Sequence, residues 1–116
     1  MKLLRMTERD VSRQITDLLR IRGWLCIRLH SELMTGRGGN PTHVGEPGIA
    51  DWVAMKAISP GVARVIFIEM KSPVGRLRTS QRLWHSWAKT RGYTVAVIRS
   101  VEDLEQLLKE LHFDAP

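Results

Sequence analysis

Apolar positions along the chain follow two periods. Val11, Ile15, Leu18 and Leu19 recur at the spacing of one helix face, Thr7 with Asp10 reads as a capping box that starts this helix, and Gly23 ends it. From Trp24 to Leu29 the period changes to two, with Leu25, Ile27 and Leu29 alternating against Trp24, Cys26 and Arg28, which predicts a half-buried strand. Ala50–Met55 and Arg64–Lys71 are dominated by apolar, β-branched and aromatic residues and are separated by Ser59-Pro60-Gly61, so they predict a hairpin. A helix follows from about Thr79 to Arg91. Its apolar residues Leu83, Trp84, Trp87 and Ala88 make one stripe, which marks the tryptophans as core anchors rather than base-stacking platforms, and Gly92 is its stop. Tyr93 to Ile98 is apolar in the style of a strand covered on both faces, and strand, helix, strand at this length predicts a parallel pair. Ser100 caps a last helix, with Asp103 closing a capping box and Leu104, Leu107, Leu108 and Leu111 facing inward. The expected order is helix, three strands, helix, strand, helix.

The hairpin carries the candidate chemistry. A turn centred near Pro60 sets Asp51 beside Glu69 on the neighbouring strand, within a residue or two of register. The period of two puts Glu69 and Lys71 on the face of Val65 and Phe67, and Ile66, Ile68 and Met70 on the other. Two opposed carboxylates weaken a sheet unless something positive joins them. A hard divalent cation is the natural partner, with the Lys71 ammonium close enough to hold a water or a phosphate oxygen. The plainer reading of Glu69 and Lys71 alone is a solvated surface pair.

Between His30 and Gly48 periodicity disappears, and a Gly/Pro-rich stretch of this length suits either a loop that wraps a substrate, with Arg37 and His43 on it, or plain flexibility. Cys26, His30 and His43 match no four-ligand zinc spacing. Eighteen Lys and Arg against twelve Asp and Glu give a net charge of +6, which favours a polyanionic partner. At 116 residues and 43% hydrophobic the chain is expected to be one domain, residues 1–116. No apolar run approaches a membrane span, the first residues lack the apolar core of a secretion signal, and a lone Cys26 forms no internal disulfide, so an intracellular, cytoplasmic protein with no membrane partner is expected.

Gly48-Ile49-Ala50-Asp51, Ile68-Glu69-Met70-Lys71, Gly75-Arg76-Leu77 with Gln81 following, and Gly92-Tyr93-Thr94-Val95-Ala96-Val97-Ile98-Arg99-Ser100 together resemble the virus-type replication-repair nuclease (VRR-NUC) domain of the PD-(D/E)XK, or restriction-endonuclease-like, superfamily. The resemblance covers nearly the whole chain, and Glu8 falls where that family has an acidic residue in its first helix. Ala50 stands where the family usually has Pro, a position that shapes backbone rather than binding metal. The resemblance implies an α/β fold with an αβββαβ core, a mixed sheet flanked by helices, and a C-terminal helix. It implies Mg²⁺ or Mn²⁺ held by Asp51, Glu69, the main-chain carbonyl of Met70 and, directly or through water, Glu8. Lys71 would orient or help deprotonate the attacking water, and Gln81 would position it or a phosphate oxygen. Arg37, Arg76, Arg78 and Arg82 are expected to grip the DNA backbone. The implied activity is structure-selective cleavage of DNA, branched DNA in particular, by a homodimer of phage or prophage type, with no organic cofactor. The rival expectation is a DNA-binding module of the same fold without catalysis, and RNA as substrate is not separated from DNA by the residues alone.

Overall fold

The computed structural model describes residues 6–29, 32–35 and 41–113. Three helices, α1 (Glu8–Ile21), α2 (Thr79–Thr90) and α3 (Val101–Glu110), accompany six strands: β1 (Leu25–Arg28), β2 (Glu32–Thr35), β3 (Pro41–Val44), β4 (Trp52–Ser59), β5 (Val62–Met70) and β6 (Thr94–Ile98). The main sheet has the order β1-β4-β5-β6, antiparallel across the first three strands and parallel between β5 and β6. With β2 and β3 set aside, this is the expected αβββαβ core with a C-terminal helix.

Local chemistry starts and stops the elements as the sequence indicated, except that the capping box expected at α3 does not close. Thr7 Oγ1 accepts from the Asp10 N–H at 3.1 Å and Asp10 Oδ2 accepts from the Thr7 N–H at 3.0 Å, a closed capping box at the head of α1. At α3 the Ser100 hydroxyl accepts from the Asp103 N–H, but the Asp103 carboxylate reaches one residue further back, to the Arg99 N–H at 2.9 Å, so the box stays open. Pro60-Gly61 makes the β4–β5 turn, with Gly61 at φ +78°. The expected register holds through the whole hairpin, Trp52 opposite Ile68 and Ala57 opposite Ala63, and slips only beside the turn, where Ser59 meets Val62.

One face of the sheet builds the main core. Ile66, Ile68 and Met70 of β5, Ala54 of β4, Cys26 of β1 and Ile98 of β6 pack with Val11, Ile15 and Leu19 of α1 and with Leu104 and Leu108 of α3. The Arg22 guanidinium grips the Glu105 carboxylate with both terminal nitrogens, Nη1 to Oε2 at 3.1 Å, and pins the end of α1 to α3. On the opposite face α2 lays Trp84 and Ala88 over Val95 and Phe67, with Phe67 meeting Trp84 edge to face at 5.2 Å between centroids. Strand β6 is therefore covered on both sides.

Two further expectations are corrected. The stretch from His30 to Gly48 is not irregular throughout: β2 and β3 pair antiparallel, Leu33 opposite His43, as a separate hairpin that packs chiefly on itself. Trp84 is a core anchor, but Trp87 is 47% and Leu83 is 67% exposed. The buried face of α2 is centred on Trp84, His85 and Ala88, so Leu83 and Trp87 fall on its flank. Among the described residues no helix is long and apolar enough to cross a membrane.

Candidate active site

Asp51 is the residue immediately before β4, and Glu69 is the penultimate residue of β5, opposite it in the extrapolated register. The ladder ends here. In place of the next main-chain bond, the Met70 N–H donates to Asp51 Oδ2 at 3.0 Å, which draws the Asp51 side chain over the end of β5. Leu29 N–H donates to Asp51 O at 2.7 Å and Lys71 N–H donates to Ile98 O at 3.1 Å, so Asp51 is fixed by β1 and Lys71 by β6. Three strands thus hold the two carboxylates and the ammonium. The sequence expectation that Asp51 and Glu69 face each other is met.

Glu69 is fully buried. Helix α2 supplies what covers it. Gln81 Nε2 donates to Glu69 Oε2 at 3.3 Å, and His85 Nε2 lies 3.3 Å from Glu69 Oε1. Burial, then hydrogen bonding to Glu69 and its negative charge, push the Asp51 carboxyl up to about 7. Burial also raises Glu69 above the usual carboxylate range, against the pull of Asp51 as a hydrogen-bond partner and of the Lys71 charge. The pair titrates as a unit, and the direction for both is upward because two adjacent charges out of water are costly. His85 is held below its usual value, first by burial and then by the charge of Lys89, so its ring is neutral and its contact with Glu69 is a hydrogen bond rather than an ion pair.

Asp51, Lys71 and Gln81 border a polar cavity of about 290 Å³, lined also by Glu8, Arg28, Leu29, Gly48, Ile49, Arg78 and Ser80, while Glu69 and His85 are buried behind its wall. Glu8, in the first turn of α1, has its Oε1 3.6 Å from Lys71 Nζ. It enters the site as the partner of Lys71, and among the described residues no three His, Cys, Asp or Glu side chains converge as a metal cage. Gln81 borders the cavity with both its polar atoms engaged: its Oε1 accepts from the Arg78 N–H at 2.8 Å and its nitrogen donates to Glu69. The side chain of Met70 is wholly in the core, which leaves only its main chain for a ligand. Of the expected backbone grips, Arg78 lines the cavity, Arg76 and Arg82 are exposed outside its lining, and Arg37 lies outside the described residues.

Two residues escaped the sequence reading. Arg28 lines the cavity from the end of β1; alternation puts it on the buried face of Cys26, and a charge ending such a face was the available signal. His85 was hidden inside the helix stripe, one residue after Trp84. Arg99 also acts at a distance: its Nη1 donates to Ser72 O at 2.8 Å and to Gly75 O, and so fixes the turn that follows Lys71.

The donor set suits a hard cation. Two carboxylates from neighbouring strands, Asp51 on the cavity wall and Glu69 buried behind it, match the way Mg²⁺ is bound by one or two carboxylates, with waters and phosphate oxygens in the cavity to complete the shell. The raised Asp51 and Glu69 point the same way, since a cation between them would relieve their repulsion. No family model matches the chain. No curated protein matches it either.

Proposed function

We propose that this chain is a Mg²⁺- or Mn²⁺-dependent endodeoxyribonuclease of the VRR-NUC kind that cuts branched DNA and works as a homodimer. The observation that carries the reading is the facing pair of Asp51 and Glu69 at the end of a mixed sheet, with Lys71 one pleat beyond and a basic-rimmed cavity in front. Asp51, Glu69 and the main-chain carbonyl of Met70 would hold the cation, with Glu8 reaching it through water. When bound, the cation supplies charge neutralisation at the phosphoryl group and a lowered pKa for the attacking water.

The chain's own groups do the rest. Lys71, 8% exposed and leaning on Glu8, has its ammonium where it can donate to the attacking water or to a non-bridging phosphate oxygen. Arg28 and Arg78 sit on the cavity wall and orient the phosphate by charge-assisted hydrogen bonds that carry no sequence information. Gln81 keeps Glu69 aligned while it is on that carboxylate, and can turn toward the phosphate only by giving it up. What supports the dimer is strand β1: Leu25 is 57% and Ile27 is 42% exposed, side by side with β4 on the face of the sheet that α2 leaves bare, an apolar patch that a second copy could cover. Two sites related by a two-fold axis match the two strands to be cut in a four-way junction. The compartment such an activity requires is the cytoplasm of a bacterial or phage-infected cell.

Incubation of labelled four-way junctions, flaps and linear duplexes with the chain, in Mg²⁺, in Mn²⁺ and in EDTA, tests the reading. The expected result is cation-dependent cutting, faster on the branched substrates. Equal cutting of all three removes the structural preference, and retention of DNA without any cutting replaces the nuclease by the binding module.

A further inference from the structure

Helix α2 turns two polar side chains, one helical turn apart, onto a single carboxylate. Gln81 and His85 are four residues apart and so share a face, and each meets a different oxygen of Glu69. The His85 ring is 5% exposed and the Glu69 side chain is fully buried. A carboxylate that holds a cation is ionised and only accepts, so in that state the contact needs the proton on His85 Nε2. The neighbours of His85 on this face, Trp84 and Ala88, pack into an apolar cluster with Val95. An aliphatic residue at position 85 would suit that cluster and would leave Glu69 Oε1 without this donor. Burying an imidazole is costly unless it is paired, and among the described residues its hydrogen-bond partner is Glu69. His85 does not line the cavity, so anything it does there it does through Glu69.

We infer that His85 is a positioning residue, which holds Glu69 in the orientation that meets Asp51 and thereby sets the affinity of the pair for a divalent cation. The inference rests on the reading of Asp51 and Glu69 as the metal site. Partners that hydrogen-bond a ligating carboxylate fix its direction, and their loss typically weakens metal binding about 10- to 100-fold. Gln81 alone cannot substitute, because it addresses the other oxygen and is itself committed to the Arg78 N–H.

Calorimetric titration with MnCl₂ alone, without DNA, tests this on the parent chain, His85→Phe, which keeps a ring in the slot, and His85→Gln, whose amide can place an N–H near the position of Nε2. His85→Phe is expected to bind Mn²⁺ about 10- to 100-fold more weakly. His85→Gln is expected to stay close to the parent, and melting in EDTA to show all three folded. If Phe is not accommodated, His85→Leu removes the donor with a smaller side chain. A folded donorless variant that binds Mn²⁺ like the parent overturns the inference and leaves the metal site standing; so does a His85→Gln as weak as His85→Phe. A parent that binds no Mn²⁺ overturns the metal site and this inference together.

Discussion

Burial beside Glu69 lets Asp51 hold its proton up to about pH 7, well above the range of a free aspartate, and that has a cost. Its folded value near 7 lies above its ordinary 3.8, so the folded chain binds more protons than the unfolded chain between those limits. Stability from this group is present below about pH 4 and is lost as pH rises through about 7. Thermal melting in EDTA should therefore show the parent losing ground between pH 5 and 8 relative to Asp51→Asn, which has no charge to bury. Added Mn²⁺ should restore the parent and not the variant; identical pH profiles for the two would contradict the buried pair. At this scale the sequence was legible where period and register decide, because Asp51, Glu69 and Lys71 follow from a strand with side chains alternating about a short turn. It was silent on His85, because a histidine beside a tryptophan in a helix stripe reads the same whether it faces solvent or a carboxylate.

Elements meet closely where the site is built. Gly48 has φ +75°, and a Cβ on it would stand 2.1 Å from the carbonyl oxygen of Ser80 in the first turn of α2. Neither the backbone angle nor the space permits a side chain, and the clash is with main chain, which has little freedom to yield. Gly61 has φ +78° but open space around it. Gly48→Ala is accordingly expected to cost roughly 3 kcal/mol or more and Gly61→Ala about 1–2 kcal/mol, as urea unfolding would measure. Equal costs would mean that the approach of the loop to α2 is not tight. The Gly48-Ile49-Ala50-Asp51 motif thus has a steric content beyond its aspartate. What the sequence hid among the elements was the β2–β3 hairpin, whose eight residues include Pro, Glu, His and two Thr and show neither alternation nor a two-residue turn signal. It also hid the tilt of α2. An apolar stripe tells which residues can face a sheet, but two polar residues on Glu69 rotate the helix so that Gln81 and His85 face in and Leu83 and Trp87 slide to the edge.

Across the whole molecule, charge and bare apolar surface pull toward different partners. The net +6 favours a polyanion, while the β1 side of the sheet exposes Leu25, Ile27 and Val65 on a face continuous through β4. Sedimentation equilibrium should find a dimer for the parent and a folded monomer for Ile27→Asp, since a charge placed in an isologous interface meets its own copy there or nearby. A monomeric parent at micromolar concentration would remove the homodimer. The central claim is chemical, and the most direct measurement of it is the rate at which a labelled four-way junction is cut in Mn²⁺ by the parent and by Asp51→Asn, with binding of the same junction followed alongside. The prediction is a loss of cleavage by about 10³-fold, the scale of removing a principal electrostatic stabiliser, with junction binding kept or tightened as a negative charge leaves the phosphate site. An Asp51→Asn chain that cuts as fast as the parent would contradict it.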